Sequence, residues 1–139
     1  MNSFIIVLGE PNSINSEILA KSIANKNRAI IIGSYDLFKD QLKILKIKRK
    51  LIKISKIEEL KKNIEALNVL DIPLKFKNPF AVNPKESSKY VKKCLEISHK
   101  LCSQKKIKGM INCSVNKKNL FNNKNMGVTE FLAKKNNVR

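Results

Sequence analysis

FIIVLGEPNSINSEILAKSIANKNRAIIIGSYDLFKDQLKIL, residues 4–45, decides the fold. Its opening run, Phe4 to Leu8, is continuous, apolar and rich in β-branched residues, and Gly9, Glu10 and Pro11 stop it. Such a run suits a strand buried on both faces at the centre of a sheet. Asn12 to Ser16 is rich in capping residues. Glu17, Ile18, Leu19 and Ile23 follow at helical spacing with an acidic group in the first turn, so a helix is expected to about Asn25. Ala29 to Ile32 repeats the buried-strand pattern, Gly33 ends it, and Leu37, Phe38, Leu42 and Leu45 predict a second helix over Tyr35–Leu45. This alternation predicts an α/β domain: a parallel-type mixed sheet with right-handed crossovers and helices on both faces. In such a sheet ligands sit at the carboxyl ends of the strands.

Outward from this frame the pattern continues, interrupted by lysine. Lys50 to Ile54 alternates as a strand does, Ile57 to Ile64 has the spacing of a short helix, and Val69 to Leu74 reads as another strand. Phe80 to Pro84 is a loop. Asn83, Pro84 and Glu86 then supply an N-cap, a proline at the first helical position and an acidic third residue, predicting a long helix to about Gln104. Val91, Cys94, Leu95, Ser98, Leu101 and Cys102 form one stripe of that helix, so two of the three cysteines are expected to be core residues. His99, the single histidine, lies beside the stripe near Cys102 but about 140° around the helix from Cys94, which is poor metal-site geometry. Ile107 to Val115 closes the series as a strand. There is no internal repeat and no Pro- or Gly-rich linker, so residues 1–139 are expected to form a single α/β region.

The chain carries 29 Lys and Arg against 11 Asp and Glu, a formal net charge of +18. That balance can signal a nucleic-acid or anionic-membrane partner. The lysines, however, are spread from Lys21 to Lys135 on the polar sides of apolar segments, and arginine appears only at Arg28, Arg49 and Arg139. Solvated lysine-rich faces are therefore the favoured reading, with nucleic acid not favoured as a partner. Cys94, Cys102 and Cys113 are odd in number and lack CxxC spacing, which points away from a disulfide framework or zinc site and towards a reduced, cytoplasmic setting. The N-terminal apolar run lacks a basic leader and is too short for a signal peptide or membrane span.

Three places could carry chemistry. GEPNSINSE, residues 9–17, has a strand–turn–helix layout able to receive an anion on backbone N–H groups, yet it matches neither GxxxxGK[ST] nor GxGxxG, and a helix cap explains it as well. Ser114 to Lys117 offers a hydroxyl, an amide and a cation at a strand end, suited to a phosphorylated ligand but lacking a general base. Thr129 and Glu130, in GVTEF, are either a substrate hydroxyl and carboxylate or the first turn of a last helix.

Taken together, these segments resemble the N-terminal half of the 4-hydroxythreonine-4-phosphate dehydrogenase family, the PdxA type. That family opens with a strand and a GDPAGIGPE-like signature, of which this chain keeps Gly9, Glu10, Pro11, Ile14 and Glu17 and replaces the inner glycines by Ser13 and Asn15 and the second proline by Ser16. The helix SKYVKKCLEISHKLC, residues 88–102, precedes a strand ending in NCSVNKK, against the family's TAPVHKG-like run, with Val115 and Lys117 retained and Asn116 where the family has histidine. The family's GHTEF is written GVTEF, so Gly127, Thr129, Glu130 and Phe131 match while Val128 replaces a histidine that binds substrate together with the threonine.

The resemblance implies the N-terminal region of the isocitrate/isopropylmalate dehydrogenase-like fold. It also implies an activity in vitamin B6 biosynthesis: NAD-dependent oxidation and decarboxylation of 4-phosphohydroxythreonine, with a divalent metal ion, in a homodimer. Thr129 is the carried-over substrate residue and Lys117 a second candidate, for phosphate, with Val128 and Asn116 in place of the family histidines. The family's metal-binding histidines and nicotinamide-binding region have no counterpart in this sequence, so no catalytic residue and no metal ligand is assigned to it. The expectation is a truncated or degenerate PdxA-type dehydrogenase, inactive by itself and binding neither NAD nor metal alone. The rival reading is a non-catalytic basic binding protein, for nucleic acid or for a complementing C-terminal chain.

Overall fold

The computed structural model describes residues 3–24, 28–62, 65–122 and 126–137. Five strands, β1 (Phe4–Val7), β2 (Ala29–Gly33), β3 (Leu51–Ile54), β4 (Leu67–Asp71) and β5 (Gly109–Asn112), form one sheet in the order β3-β4-β2-β1-β5. Every neighbouring pair is parallel, with Ile5 opposite both Ile30 and Met110, Ile31 opposite Val69, and Ile54 opposite Leu70. The apolar runs at residues 4–8 and 29–33 are indeed the central strands, since only a position covered on both faces rewards an unbroken apolar sequence.

Strand alternation sorts those runs into two cores. Ile6, Leu8, Ile31, Leu67 and Val69 face helices α1 (Asn15–Ser22) and α2 (Tyr35–Ile44), which contribute Leu19, Ala20, Phe38 and Leu42. Ile5, Val7, Ile30, Ile32, Ile54 and Leu70 face α3 (Pro84–Ser103) and α4 (Lys117–Phe121), which bring Tyr90, Val91, Cys94, Leu95, Leu120 and Phe121. A fifth helix, α5 (Val128–Lys135), has no buried residue, although Val128 and Phe131 lean on this second core. The domain is thus α/β with helices on both faces of the sheet, as the alternation predicts.

Local chemistry places the helix starts. Asn83 caps α3, accepting from the N–H groups of Lys85 (2.9 Å) and Glu86 (3.4 Å), and Pro84 follows at the first helical position. Ser34 caps α2 through Leu37 N (3.2 Å). At α1 the cap residue is Ile14, which has no side-chain acceptor; Ser13 instead accepts from Asn15 N at 3.1 Å. The described helix ends at Ser22, short of the expected Asn25, which lies outside the described residues.

The middle of the chain departs furthest from expectation. In place of a helix over Ile57–Ile64 there is a single 3-10 turn, Ile57–Glu59, and Ile64 lies outside the described residues. The buried Asn68 accounts for the early end: its amide accepts from Lys61 N (3.1 Å) and donates to Lys61 O (3.0 Å), holding the chain extended there. β4 begins at Leu67 and stops at Asp71, just before Ile72 and Pro73.

Candidate functional site

The carboxyl ends of β1 and β5 lie side by side, and a small polar network fastens them. Gly9, at φ +78°, turns the chain out of β1; a Cβ added there would meet Ser114 O at 2.6 Å and Asn15 Nδ2 at 2.9 Å, so only glycine fits. Glu10 N donates to Ser114 O (3.0 Å). The buried Asn15 amide donates to Leu8 O (3.0 Å) and Ser114 O (2.9 Å) and accepts from Ser114 Oγ (2.8 Å). Residues 9–17 therefore form a cap and clamp: the space next to the glycine, where a phosphate would approach the backbone, is filled by the Asn15 amide.

The loop over residues 78–83 is fastened to the same end of the sheet. Asn12 and Val82 exchange two hydrogen bonds of 2.8 Å, Gln41 Nε2 donates to Pro11 O (2.8 Å) and Pro79 O (2.7 Å), and Ser87 Oγ donates to Glu10 Oε1 (3.0 Å). None of these residues stands out in the sequence as a partner of the others. The signal lay in the polar identity of Gln41, which is 2 % exposed on the core side of α2.

Beyond Ser114 the chain forms α4. Asn116 is its N-cap and accepts from Asn119 N at 3.1 Å, so its amide oxygen serves the helix. Lys117 is exposed at the first position of α4 and reaches the start of α5; its Cε would lie 3.9 Å from a Cβ on Gly127.

The GVTEF stretch is the first turn of α5. Glu130 folds back to accept from Gly127 N at 2.8 Å. Its carboxyl is held below the usual 4.5 by backbone N–H donors, its own and that of Gly127, with Lys117 adding attraction. Glu130 is thus a cap. Thr129 is exposed at the second position of the helix, and Val128 is half-buried against the core that contains Leu120 and Phe121. The structure therefore brings Lys117 next to the turn that carries Thr129, while Val128 packs on the second core.

Among the described residues, no three His, Cys, Asp or Glu side chains gather where they could hold a metal ion. His99 is used elsewhere, its Nε2 lying 2.9 Å from Asn136 Oδ1. The cysteines are poor nucleophiles: burial pushes Cys94 up to about 12, and burial likewise raises Cys102 and Cys113. Cys94 is a core residue of α3, as its place on the stripe predicts, while Cys102 is only half-buried. No helix among those described is long and apolar enough to cross a membrane.

Comparison with solved structures finds the same backbone in 4-hydroxythreonine-4-phosphate dehydrogenases. The protein from Burkholderia phymatum matches with a TM-score of 0.84 at 18% identity, over 100% of this chain and 44% of its own. That from Klebsiella pneumoniae matches with a TM-score of 0.82 at 18% identity, over 96% and 45%. A Salmonella typhimurium chain given that name provisionally matches at 0.80 and 23% identity, over 96% and 44%. The chain thus spans less than half the length of the proteins it matches. A search of curated proteins found no match. The family model for the pyridoxal phosphate biosynthetic protein PdxA matches residues 25–139, and the chain belongs to that family.

Proposed function

We propose that this chain is the substrate-side portion of a PdxA-type dehydrogenase, one that oxidises 4-phosphohydroxythreonine with NAD in vitamin B6 biosynthesis. The observation that carries the reading is the juxtaposition of Lys117, at the first position of α4, with the Gly127–Glu130 turn of a chain that the family model matches. Thr129 offers a hydroxyl to the substrate, and the amino end of α5 together with Lys117 offers positive potential to its phosphate. Asn116 and Val128 stand where the resemblance places histidines and supply no proton-transfer group. No metal-ligating cluster gathers among the described residues, and the chain's own part is to bind and orient. By itself it performs no oxidation, and a homodimer or a complementing polypeptide is the setting in which the site is completed.

The test is titration of the isotopically labelled chain with 4-phosphohydroxythreonine, followed by backbone amide shifts. Shifts should concentrate at Gly127–Glu130 and Lys117 and shrink at least tenfold in apparent affinity for Lys117→Ala or Thr129→Val. An absence of shifts, or shifts indifferent to both substitutions, contradicts the assignment.

A further inference from the structure

Cations are spread over the whole sequence, but the acidic residues are not spread evenly over the fold. Helices α1, α2 and α3 each carry an acid in the first turn, Glu17, Asp36 and Glu86, and Glu10 and Asp71 stand where β1 and β4 finish. Anions thus gather at the carboxyl end of the sheet. The segments that enter the strands at the opposite end cover residues 28, 45–50, 60–66 and 104–108. Among their described residues Glu65 is the one acidic group, and every other charge is a lysine or arginine.

Backbone bonds set these segments side by side. Phe4 N donates to Arg28 O (3.2 Å), Lys108 N to Ser3 O (2.9 Å) and Leu67 N to Lys50 O (2.9 Å). Lys61 is tied to Asn68, the second residue of β4, and Arg49 Nη2 donates to Ile23 O (2.6 Å), joining the segment that enters β3 to the end of α1. In the strand order β3-β4-β2-β1-β5, the exposed Lys50, Lys61, Arg28 and Lys108 therefore form a row across the sheet. At about 4.8 Å per strand the row spans roughly 19 Å. Of the neighbouring cations Lys106 reaches an acid, Glu58 at 3.3 Å, whereas no ion pair among the described residues involves the four in the row.

Within the row, between Arg28 and Lys108, stands Phe4. Its ring is 42% exposed, lies 3.6 Å from a Cβ placed on Gly109, and has Lys108 Nζ 5.9 Å from its centre. We propose that this amino-terminal face of the sheet binds single-stranded nucleic acid, the cations running along the phosphates and a base stacking on Phe4. Binders of single strands combine a basic track with aromatic side chains that every base can stack on. A base on Phe4 leaves the adjoining phosphate to Lys108 and Arg28. An anionic bilayer would meet the same charge, but it rewards an apolar wedge, and the Phe4 ring rests against Gly109 instead of projecting. In the sequence these lysines read as solvated faces; the strand order is what collects them beside an exposed ring. The face is at the other end of the sheet from the Asn15–Ser114 clamp, so it stands apart from the proposed substrate role.

Fluorescence anisotropy with a labelled oligouridylate of about twelve nucleotides, within the usual range of about 4–16 per site, tests the assignment. Affinity should fall with salt at a log–log slope of about −3, as four phosphate contacts at about −0.7 each require. Phe4→Leu should weaken binding about tenfold at an unchanged slope, within the range for loss of one stacked base, while Phe4→Tyr, which keeps a ring, should bind as the parent does. Lys50→Glu with Lys61→Glu should weaken binding at least tenfold and flatten the slope. Lys75→Glu with Lys77→Glu, the same charge change in the exposed loop after β4, should cost less than about threefold. All these side chains are exposed, so the variants should melt near the parental temperature. The proposal is overturned by an absence of binding at low salt, by equal losses in the two charge-reversed pairs, by indifference to Phe4→Leu, or by preference for phosphatidylglycerol–phosphatidylcholine vesicles over the oligonucleotide.

Discussion

Asn15 and Ser16 are adjacent, both buried, and have opposite energetic standing. Asn15 satisfies two backbone carbonyls and the Ser114 hydroxyl, while Ser16 Oγ, in a residue 1% exposed, has no hydrogen-bond partner among the described residues. Losing a buried partner leaves groups unpaired, and each costs about 1–3 kcal/mol. A double-mutant cycle of Asn15→Ala and Ser114→Ala should therefore show favourable coupling of about 1 kcal/mol by denaturant unfolding. Additivity would mean that the clamp contributes nothing as a pair. Ser16→Ala should instead raise stability by about 1 kcal/mol, because it deletes an orphaned hydroxyl; a loss would reveal a partner for it. Neither role was legible in the sequence. GEPNSINSE shows capping residues, but not that Ser13 would do the capping and Asn15 would reach across to residue 114, because that pairing depends on β1 and β5 being neighbours.

At the level of elements, legibility tracked how far each segment's own residues decide its shape. β1, β2 and α3 follow from unbroken apolar runs and from an Asn-Pro-x-Glu start, and they lie where those signals put them. Asn83→Ala should lower stability by about 1 kcal/mol through loss of the cap, measured by thermal or urea unfolding; an unchanged midpoint would show that Pro84 alone sets the start. The segment from Lys50 to Leu74 was hard to read because lysines break the strand pattern and because Asn68, in the following strand, holds the backbone of Lys61. Helix α4 was missed, although Asn116 with Leu120 and Phe121 four and five positions later is a cap followed by buried residues.

Helix α5 makes a pH prediction. Glu130 is held below 4.5 in the fold, so its capping contribution is present above that value and is lost as pH falls through the lowered one. Exchange of the Gly127 amide should accelerate in acid beyond the intrinsic pH trend, and Glu130→Gln should weaken that pH dependence. A pH profile identical in the two proteins would contradict the assignment.

For the molecule as a whole, the α/β class and the order of its parts were readable because βα alternation and right-handed crossovers leave few arrangements. The site was readable only in outline. GVTEF and SVNK follow β5 in the chain, but the sequence did not show that Glu130 would cap its own helix, that Asn116 would cap α4, or that Val128 would sink against Leu120 and Phe121. The net charge is dispersed, and its ion pairs, such as Lys21–Glu17 and Lys135–Glu96, are exposed and weakly stabilising.

The central claim is that these 139 residues bind and orient a phosphorylated substrate without completing an oxidising site. The direct measurement is the formation of NADH by the purified chain supplied with NAD, a divalent metal ion and 4-phosphohydroxythreonine. The account predicts no signal above a protein-free control. NADH formation that scales with protein and is abolished by Thr129→Val would contradict it.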